Sequence, residues 1–149
     1  MQDTSGVHVW LVLAKAFRAL MAHSVESLDL SGAGIGDSDF RVLEVLLHKG
    51  PLPVNTIGPK VWLTPGSISV AVDRLEKKAL VKRKNTDDRR VRLVELTPKG
   101  RALISKIFRK HVTAMEEAAS VLSKEERLIL MRLLKKLGKG GKDESKPSA

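Results

Sequence analysis

Residues 64–96, "TPGSISVAVDRLEKKALVKRKNTDDRRVRLVEL", decide the fold, because a helical segment passes directly into two strand-like segments. Thr64 is a favourable N-cap, Pro65 stands at the first helical position, and apolar residues then recur at helical spacing to about Lys78. Residues 80–84 and 91–96 read as short strands on either side of a highly charged loop. The stretch therefore predicts a capped helix followed by a β-hairpin.

Two further helices are predicted immediately upstream. Residues 39–49, "DFRVLEVLLHK", form the first, capped by Asp37 or Ser38 and ended by Gly50. A short helix follows over residues 53–61, with Asn55 as the expected N-cap, so that Pro59 falls among the first four helical residues. A short helix, a capped helix and a basic hairpin, in this order, describe a winged helix-turn-helix, whose second helix enters the DNA major groove.

The outer parts of the chain are also predicted to be helical. Residues 7–30 contain neither Gly nor Pro and are apolar on more than one face, which predicts a long helix with more than one packing partner. Thr97 and Pro98 repeat the Thr-Pro helix start, and Ser123 with Glu126 matches a capping box before a last helix. The fold class is thus mostly α with a small β-hairpin.

The positive charge is concentrated in one part of the chain. The 149 residues carry a formal net charge of +10, and residues 60–110 contain fifteen Lys and Arg against five acidic residues, whereas the remainder is neutral. A basic block in a neutral frame predicts a polyanion partner, because each neutralised phosphate releases condensed counterions. The alternative is a basic face that serves solubility alone.

Several classes of function are disfavoured by the composition. The chain has no cysteine and no tyrosine, its four histidines are scattered without metal-ligand spacing, and it has no nucleophile motif or phosphate-cradling Gly-rich loop. We therefore predict no enzyme activity, no metal and no cofactor. No apolar run approaches the roughly 18 residues of a membrane span, and the start lacks a secretory n-region, which favours a cytoplasmic protein.

The wing region resembles that of the MarR family of bacterial transcription regulators. In "DRLEKKALVKRKNTDDRRVRLVELTPKG", residues 73–100, the family pattern of Asp-x-Arg and a strand ending Leu-Thr-x-x-Gly is matched by Asp88, Arg90, Leu96, Thr97 and Gly100. The resemblance continues upstream through "SDFRVLEVLLHKGPLP", residues 38–53. The chain departs from the family pattern after the recognition helix, where residue 79 is alanine instead of the usual glycine.

The resemblance implies a homodimer that reads a pseudo-palindromic operator in double-stranded DNA. It implies an N-terminal dimerisation helix in residues 1–35, a winged helix-turn-helix in 36–98 with recognition helix 64–78 and wing 80–96, and C-terminal dimerisation helices in 99–138. Residues 139–149, of low complexity, are predicted to be a disordered tail. The implied function is a sequence-specific repressor; the alternative is a winged-helix module that binds RNA or a protein partner.

Small residues at the start of the recognition helix allow close approach to base edges and phosphates, and the resemblance places Arg90, or Arg89 beside it, in the minor groove. The predicted DNA-binding set is Thr64, Pro65, Gly66, Ser67, Ser69, Val70, Asp73, Arg74, Lys84, Arg89 and Arg90. Asp88 is predicted to orient an arginine, either in the wing or Arg74, because a carboxylate repels phosphate. The alternative is that Asp87 and Asp88 simply form a turn.

A small aromatic effector is a further implication of the resemblance. Phenolic or quinone-like compounds release DNA from many relatives, and "LLHKGPLPVNTIGPKVWLTPGSI", residues 46–68, is similar to the quinone-responsive branch. The predicted pocket residues are Trp10, Phe17, Met21, Phe40 and Trp62. The alternative is that these side chains belong to the core or to a dimer interface. Because cysteine is absent, a thiol-oxidation switch is excluded.

Overall fold

The computed structural model describes residues 3–29 and 33–139, in which six helices and three strands follow one another. They are α1 (Gly6–Asp29), α2 (Asp37–Lys49), β1 (Leu52–Pro53), α3 (Val54–Lys60), α4 (Pro65–Lys77), β2 (Val81–Asn85), β3 (Arg92–Leu96), α5 (Pro98–Ala119) and α6 (Lys124–Lys139). This order confirms the mostly α fold with a winged helix-turn-helix. The described residues divide into two compact units, and the division falls between Met115 and Glu116. Of the predicted tail, Lys139 is the last residue of α6, and 140–149 lie outside the described residues.

The predicted hairpin is part of a three-stranded antiparallel sheet with the order β1-β3-β2. In β1, Leu52 is opposite Val94 and Pro53 is opposite Leu93. The strand was not predicted, because two residues are too few to show the alternation that identifies a strand. Proline is tolerated there because β1 is an edge strand, on which an N–H can be missing without loss of a ladder bond.

Two predicted helix starts were wrong in detail. The N-cap of α2 is Gly36, without a side-chain hydrogen bond, so neither Asp37 nor Ser38 caps this helix. The N-cap of α3 is Pro53 and not Asn55. Consequently Pro59 lies inside α3, beyond the first four residues. Because α3 ends at Lys60, directly after the proline, the missing N–H interrupts very little helix.

The core is formed by the winged helix-turn-helix and the start of α5. The inward face of α4 consists of Ile68, Ala71, Val72 and Leu75, as the helical spacing predicts. These side chains pack with buried residues of the other elements, among them Phe40, Leu43, Leu46, Ile57, Val94, Ile104 and Ile107. Complete burial stabilises each large apolar side chain by about 1.5 to 3 kcal/mol, so this core determines the orientation of α4.

The end of α4 has the geometry for which the family uses glycine. Ala79 adopts a φ of 57°, the Leu80 N–H donates to the Leu75 carbonyl at 3.0 Å, and the Ala79 N–H donates to the Glu76 carbonyl at 2.9 Å. This pair of bonds is a Schellman motif. Alanine therefore occupies the left-handed position, at a conformational cost of about 1 kcal/mol or more.

The Leu-Thr-x-x-Gly motif joins α5 to the end of α4. The Thr97 hydroxyl donates to the Ala79 carbonyl at 2.7 Å, and the Thr97 N–H donates to the Leu80 carbonyl at 3.1 Å. A Cβ on Gly100 would overlap the Leu80 carbonyl oxygen, so the close approach requires glycine. The recognition helix and α5 are thereby fixed to each other at this point.

We call α1 and α6 the outer helices. The capping box at the start of α6 is confirmed: the Ser123 N–H donates to the Glu126 carboxylate at 2.8 Å, and the Glu126 N–H donates to the Ser123 hydroxyl at 3.2 Å. No residue of α6 is buried. The exposed large apolar residues of the outer helices are Val7, Val9, Trp10, Leu11, Val12, Leu13, Phe17, Leu20, Val25, Leu128, Ile129, Leu130, Met131, Leu133, Leu134 and Leu137. Neither outer helix, nor any other helix within 3–29 and 33–139, is long and apolar enough to cross a membrane.

Candidate nucleic-acid interface

The start of α4 is capped by its own side chains. Thr64 accepts a hydrogen bond from the Ser67 N–H at 3.2 Å, and its hydroxyl donates to the Ser67 hydroxyl oxygen at 2.9 Å. The Ser69 hydroxyl donates to the Pro65 carbonyl at 3.0 Å. Ser67 therefore retains a hydroxyl hydrogen for an external acceptor, whereas Ser69 offers an external group only its oxygen.

Gly66, Ser69, Val70, Asp73 and Lys77 are exposed along α4, on the side opposite its buried residues. Their spacing places them on one outward face of the helix. This face combines predicted DNA-binding residues with Lys77, which was not predicted. The presence of small side chains near the helix start leaves the backbone accessible to a ligand.

Arg74 connects two helices. Its Nε donates to both carboxylate oxygens of Asp39, at 3.0 and 3.1 Å, and one of its Nη atoms donates to the Ser38 hydroxyl at 3.3 Å. Asp39 is only 2% exposed, and its hydrogen bonds with Arg74 raise the pKa of that guanidinium above the ordinary value. This predicted DNA contact is thus engaged in fixing α4 to α2.

Arg83, on β2, makes an equivalent connection between the wing and α4. Its guanidinium donates to Asp73 at 2.6 Å and also to Glu76. The hydrogen bond with Asp73 is the main cause of a raised pKa for Arg83. Arg83 was not among the predicted site residues, because its partners lie on another element and no local pattern reveals them. Asp73, which was predicted to contact DNA, is occupied by this ion pair.

The wing loop is organised around Thr86 and Asp88. The Thr86 hydroxyl lies 2.8 Å from the Asp88 carbonyl oxygen and 3.0 Å from that of Val91. The Asp88 carboxylate accepts the Arg90 N–H at 3.0 Å and lies 3.8 Å from Nε of the same arginine. Asp88 thus forms a turn and also lies beside Arg90, while Arg74 pairs with Asp39 instead. The Arg90 side chain is 94% exposed, and Lys84 and Arg89 are exposed as well.

An open cleft of about 500 Å³ separates the wing from the start of α3. One wall is formed by residues 53–56 and the other by residues 89–92. Three of the four wing residues in this cleft are arginines, and the facing wall contributes the polar side chains of Asn55 and Thr56. A phosphate group could therefore meet guanidinium and polar donors together.

The five predicted pocket residues do not form one cluster. Phe17 and Trp62 are in edge-to-face contact, with ring centroids 5.9 Å apart, and Trp62 is 72% exposed with a left-handed φ of 56°. Phe40 is buried in the core, where its ring lies 4.8 Å from that of His111. Trp10 is exposed and Met21 half-buried, both on α1. The Phe17–Trp62 pair thus links α1 to the turn that precedes the recognition helix.

Comparison with known proteins identifies relatives along most of the chain. The sequence profile of the MarR family matches residues 35–91. The HTH-type transcriptional regulator MhqR of Bacillus subtilis (strain 168) is 38% identical over 135 residues, which are 90% of this chain and 92% of that protein. The crystal structure of NadR in complex with 4-hydroxyphenylacetate is 28% identical, with a TM-score of 0.73, and covers 93% of this chain and 97% of that chain.

The fold is also that of Sco3205, a MarR family transcriptional regulator from Streptomyces coelicolor whose crystal structure is in complex with DNA. The TM-score is 0.80 at 24% identity, and the alignment covers 99% of this chain and 98% of that chain. The similarity supports the winged-helix architecture described above.

Proposed function

This chain belongs to the MarR family of DNA-binding transcriptional regulators, which are not enzymes, and we propose that it is a homodimeric repressor that reads a pseudo-palindromic operator and releases it on binding a small aromatic ligand. The observation that carries the proposal is the combination of an exposed recognition-helix face and an exposed arginine wing with outer helices whose apolar residues are uncovered. Occupation of an operator by such a dimer represses transcription by excluding polymerase.

The homodimer is supported by the outer helices. Each of these two helices exposes many large apolar side chains, and exposed apolar patches mark interaction surfaces in proteins. A second copy of the chain presents the same two helices, and a two-fold axis brings identical surfaces together. The same axis relates two winged modules, and it accounts for a palindromic target.

The DNA contacts divide into three kinds. We assign the outward face of α4, with Gly66, Ser67, Ser69 and Val70, to base edges in the major groove. Arg89 and Arg90 are assigned to the minor groove beside it, where narrow A·T-rich segments attract arginine. The cleft between the wing and α3, which Arg92, Asn55 and Thr56 line, suits a backbone phosphate, and Lys84, opposite Leu93 in the sheet, contributes to the positive potential.

Two members of the predicted set receive a different role. Asp73 and Arg74 hold α4 through Arg83 and Asp39, respectively. A carboxylate is repelled by phosphate, so Asp73 is expected to help DNA binding by orienting α4 and not by contacting DNA. We therefore propose that both residues position the recognition helix and do not contact DNA.

The ligand proposal rests on Trp62. This residue lies directly between α3 and Leu63–Thr64 at the start of the recognition helix, and its left-handed backbone is a strained conformation for a bulky residue. A relative of similar structure, NadR, binds 4-hydroxyphenylacetate. An aromatic compound inserted beside the Phe17–Trp62 pair would favour one position of the turn over another and thereby change the affinity for DNA.

The central experiment is selection of bound sites from a random duplex pool by the wild-type protein and by Arg90→Ala. We expect an inverted repeat with half-sites about one helical turn apart for the wild type, and severe loss of binding in the variant. Arg109→Ala, which removes the same charge from α5, serves as the matched control and should select the same repeat. Binding that depends on salt alone, without an enriched motif, would contradict the proposal and favour the RNA or protein alternative.

The ligand proposal is tested by fluorescence. The chain has two tryptophans, so Trp10→Phe leaves Trp62 as the single reporter. We expect 4-hydroxyphenylacetate or hydroquinone to change the Trp62 emission saturably and to release a selected operator, and Phe17→Ala to weaken both effects equally. DNA release without a change in Trp62 emission would place the effector elsewhere.

A further inference from the structure

Val70 is an exposed apolar side chain on an otherwise polar face. Its side chain is 60% exposed, whereas the neighbouring α4 residues Ile68, Ala71 and Val72 are buried. A β-branched residue at an exposed helical position is less favourable than alanine by about 0.5 kcal/mol. Within one chain, therefore, neither burial nor helix propensity accounts for valine at this position.

The polar groups nearest to Val70 are already engaged. The Ser69 hydroxyl donates to the Pro65 carbonyl, Asp73 is paired with Arg83, and Arg74 is paired with Asp39. Val70 lines an open hollow of about 550 Å³ together with Asp73, Arg74, Lys77 and Lys78. In the middle of this face, the isopropyl group is thus free to meet a ligand, between Ser67 at the helix start and Lys77 farther along.

The chemistry of the major groove identifies what an isopropyl group can recognise. Guanine, cytosine and adenine present hydrogen-bond donors and acceptors there, whereas thymine adds a 5-methyl group, which is apolar. An isopropyl group placed against a polar base edge desolvates it without compensation, but against a methyl group it buries apolar surface. Val70 is near the start of the recognition helix, the part that reaches base edges in this type of module.

We propose that Val70 contacts the 5-methyl group of a thymine and is a specificity-determining residue for one A·T pair in each half-site. The inference rests on the proposed operator binding and adds the identity of a base. Because χ1 of valine is restricted in a helix, the two methyl groups are held in place before DNA binds. Burial of one methyl group corresponds to roughly a fourfold change in affinity.

The test uses an operator obtained by the selection described above. Each thymine is replaced singly by deoxyuridine, which removes the 5-methyl group and preserves base pairing. We expect one thymine in each half-site to lower wild-type affinity about fourfold when replaced. Val70→Ala should lower affinity for the thymine operator by a similar factor and should show no further loss at that deoxyuridine.

Ser69→Ala is the matched control: it alters the neighbouring residue on the same face and is expected to change overall affinity, but it should keep the fold-change in affinity that deoxyuridine causes. Val70→Ala should unfold at the wild-type temperature or slightly above it, since the side chain is largely exposed and alanine has the higher helix propensity. Equal deoxyuridine sensitivity in wild type and Val70→Ala, or no sensitive thymine at all, would overturn the inference while leaving operator binding intact. Failure to select any operator would instead overturn the proposed function, and this inference with it.

Discussion

The winged core and the outer helices contain similar apolar side chains in opposite surroundings. Leu43, Ile57 and Leu75 of the core are fully buried, whereas Leu13 of α1 and Leu133 of α6 are exposed. The difference shows that one chain completes its DNA-reading module but does not cover its own outer helices. Folding of the module and assembly of the protein should therefore respond to different mutations.

The largest expected effect on stability comes from replacing a leucine by alanine, and the effect should differ between the winged core and the outer helices. Leu75→Ala should lower the free energy of unfolding by about 2 to 5 kcal/mol at every protein concentration, because it leaves a cavity in the core. Leu133→Ala should lower stability mainly at low concentration, because it weakens association. Thermal unfolding at two protein concentrations measures both; a concentration-independent loss for Leu133→Ala would remove the distinction.

A smaller effect is expected within the module, at the connection between α2 and α4. Asp39→Asn should lower the free energy of unfolding by about 1 to 2 kcal/mol, since it weakens charged hydrogen bonds to Arg74 whose guanidinium is partly hydrated. Operator affinity should fall with it, because α4 loses its restraint. Glu95→Gln, which breaks the Lys82–Glu95 pair on the wing, should change stability by less than about 0.5 kcal/mol in the same denaturant titration.

The left-handed residue at the end of α4 offers a stabilising substitution. Ala79→Gly removes a strained Cβ, partly offset by a more flexible unfolded chain, and should raise the free energy of unfolding by about 0.5 to 1 kcal/mol. Ala114→Gly, inside α5, should instead lower it by about 1 kcal/mol. Chemical denaturation measures the free energy of unfolding of both variants. A lower free energy of unfolding for Ala79→Gly would show that the left-handed alanine is not strained.

The smallest expected effect concerns pH. Burial lowers the pKa of His111, whose Nδ1 lies 3.3 Å from the Ser27 hydroxyl, below its ordinary value of about 6.5. Between the folded and unfolded pKa values the unfolded chain binds more protons, so stability should decrease as pH falls below about 6.5. His111→Gln should make this part of the stability profile flatter; an unchanged slope would assign it to other groups.

Local signals were readable from the sequence, and long-range ones were not. The Thr64 cap, the buried spacing that ends at Leu75 and the Ser123 capping box depend on residues a few positions apart. The Asp39–Arg74 pair joins residues 35 positions apart, and the Arg83–Asp73 pair crosses from strand to helix. Such pairs follow from tertiary packing, which no periodicity encodes, and they change the roles proposed for Asp73 and Arg74.

In the wing, too, local features were predicted from the sequence and long-range contacts were not. Its charge and turn residues predicted an exposed arginine loop, and Arg90 is indeed exposed beside Asp88. The third strand and the cleft against α3 depend on Leu52 and Pro53 meeting β3, which only the folded chain reveals. The aromatic residues illustrate the limit most clearly, because spacing alone did not separate the buried Phe40 from the exposed Trp62.

The molecular mass in solution shows whether a second copy of the chain covers the outer helices. Sedimentation equilibrium of the wild type should give about twice the 16.4 kDa of one chain. Leu133→Glu, which places a charge among the exposed apolar residues of α6, should shift the mass toward that of a single chain while the helical signal of the winged module persists. A wild-type protein that sediments as a monomer at micromolar concentration would show that the outer helices are not a dimer interface.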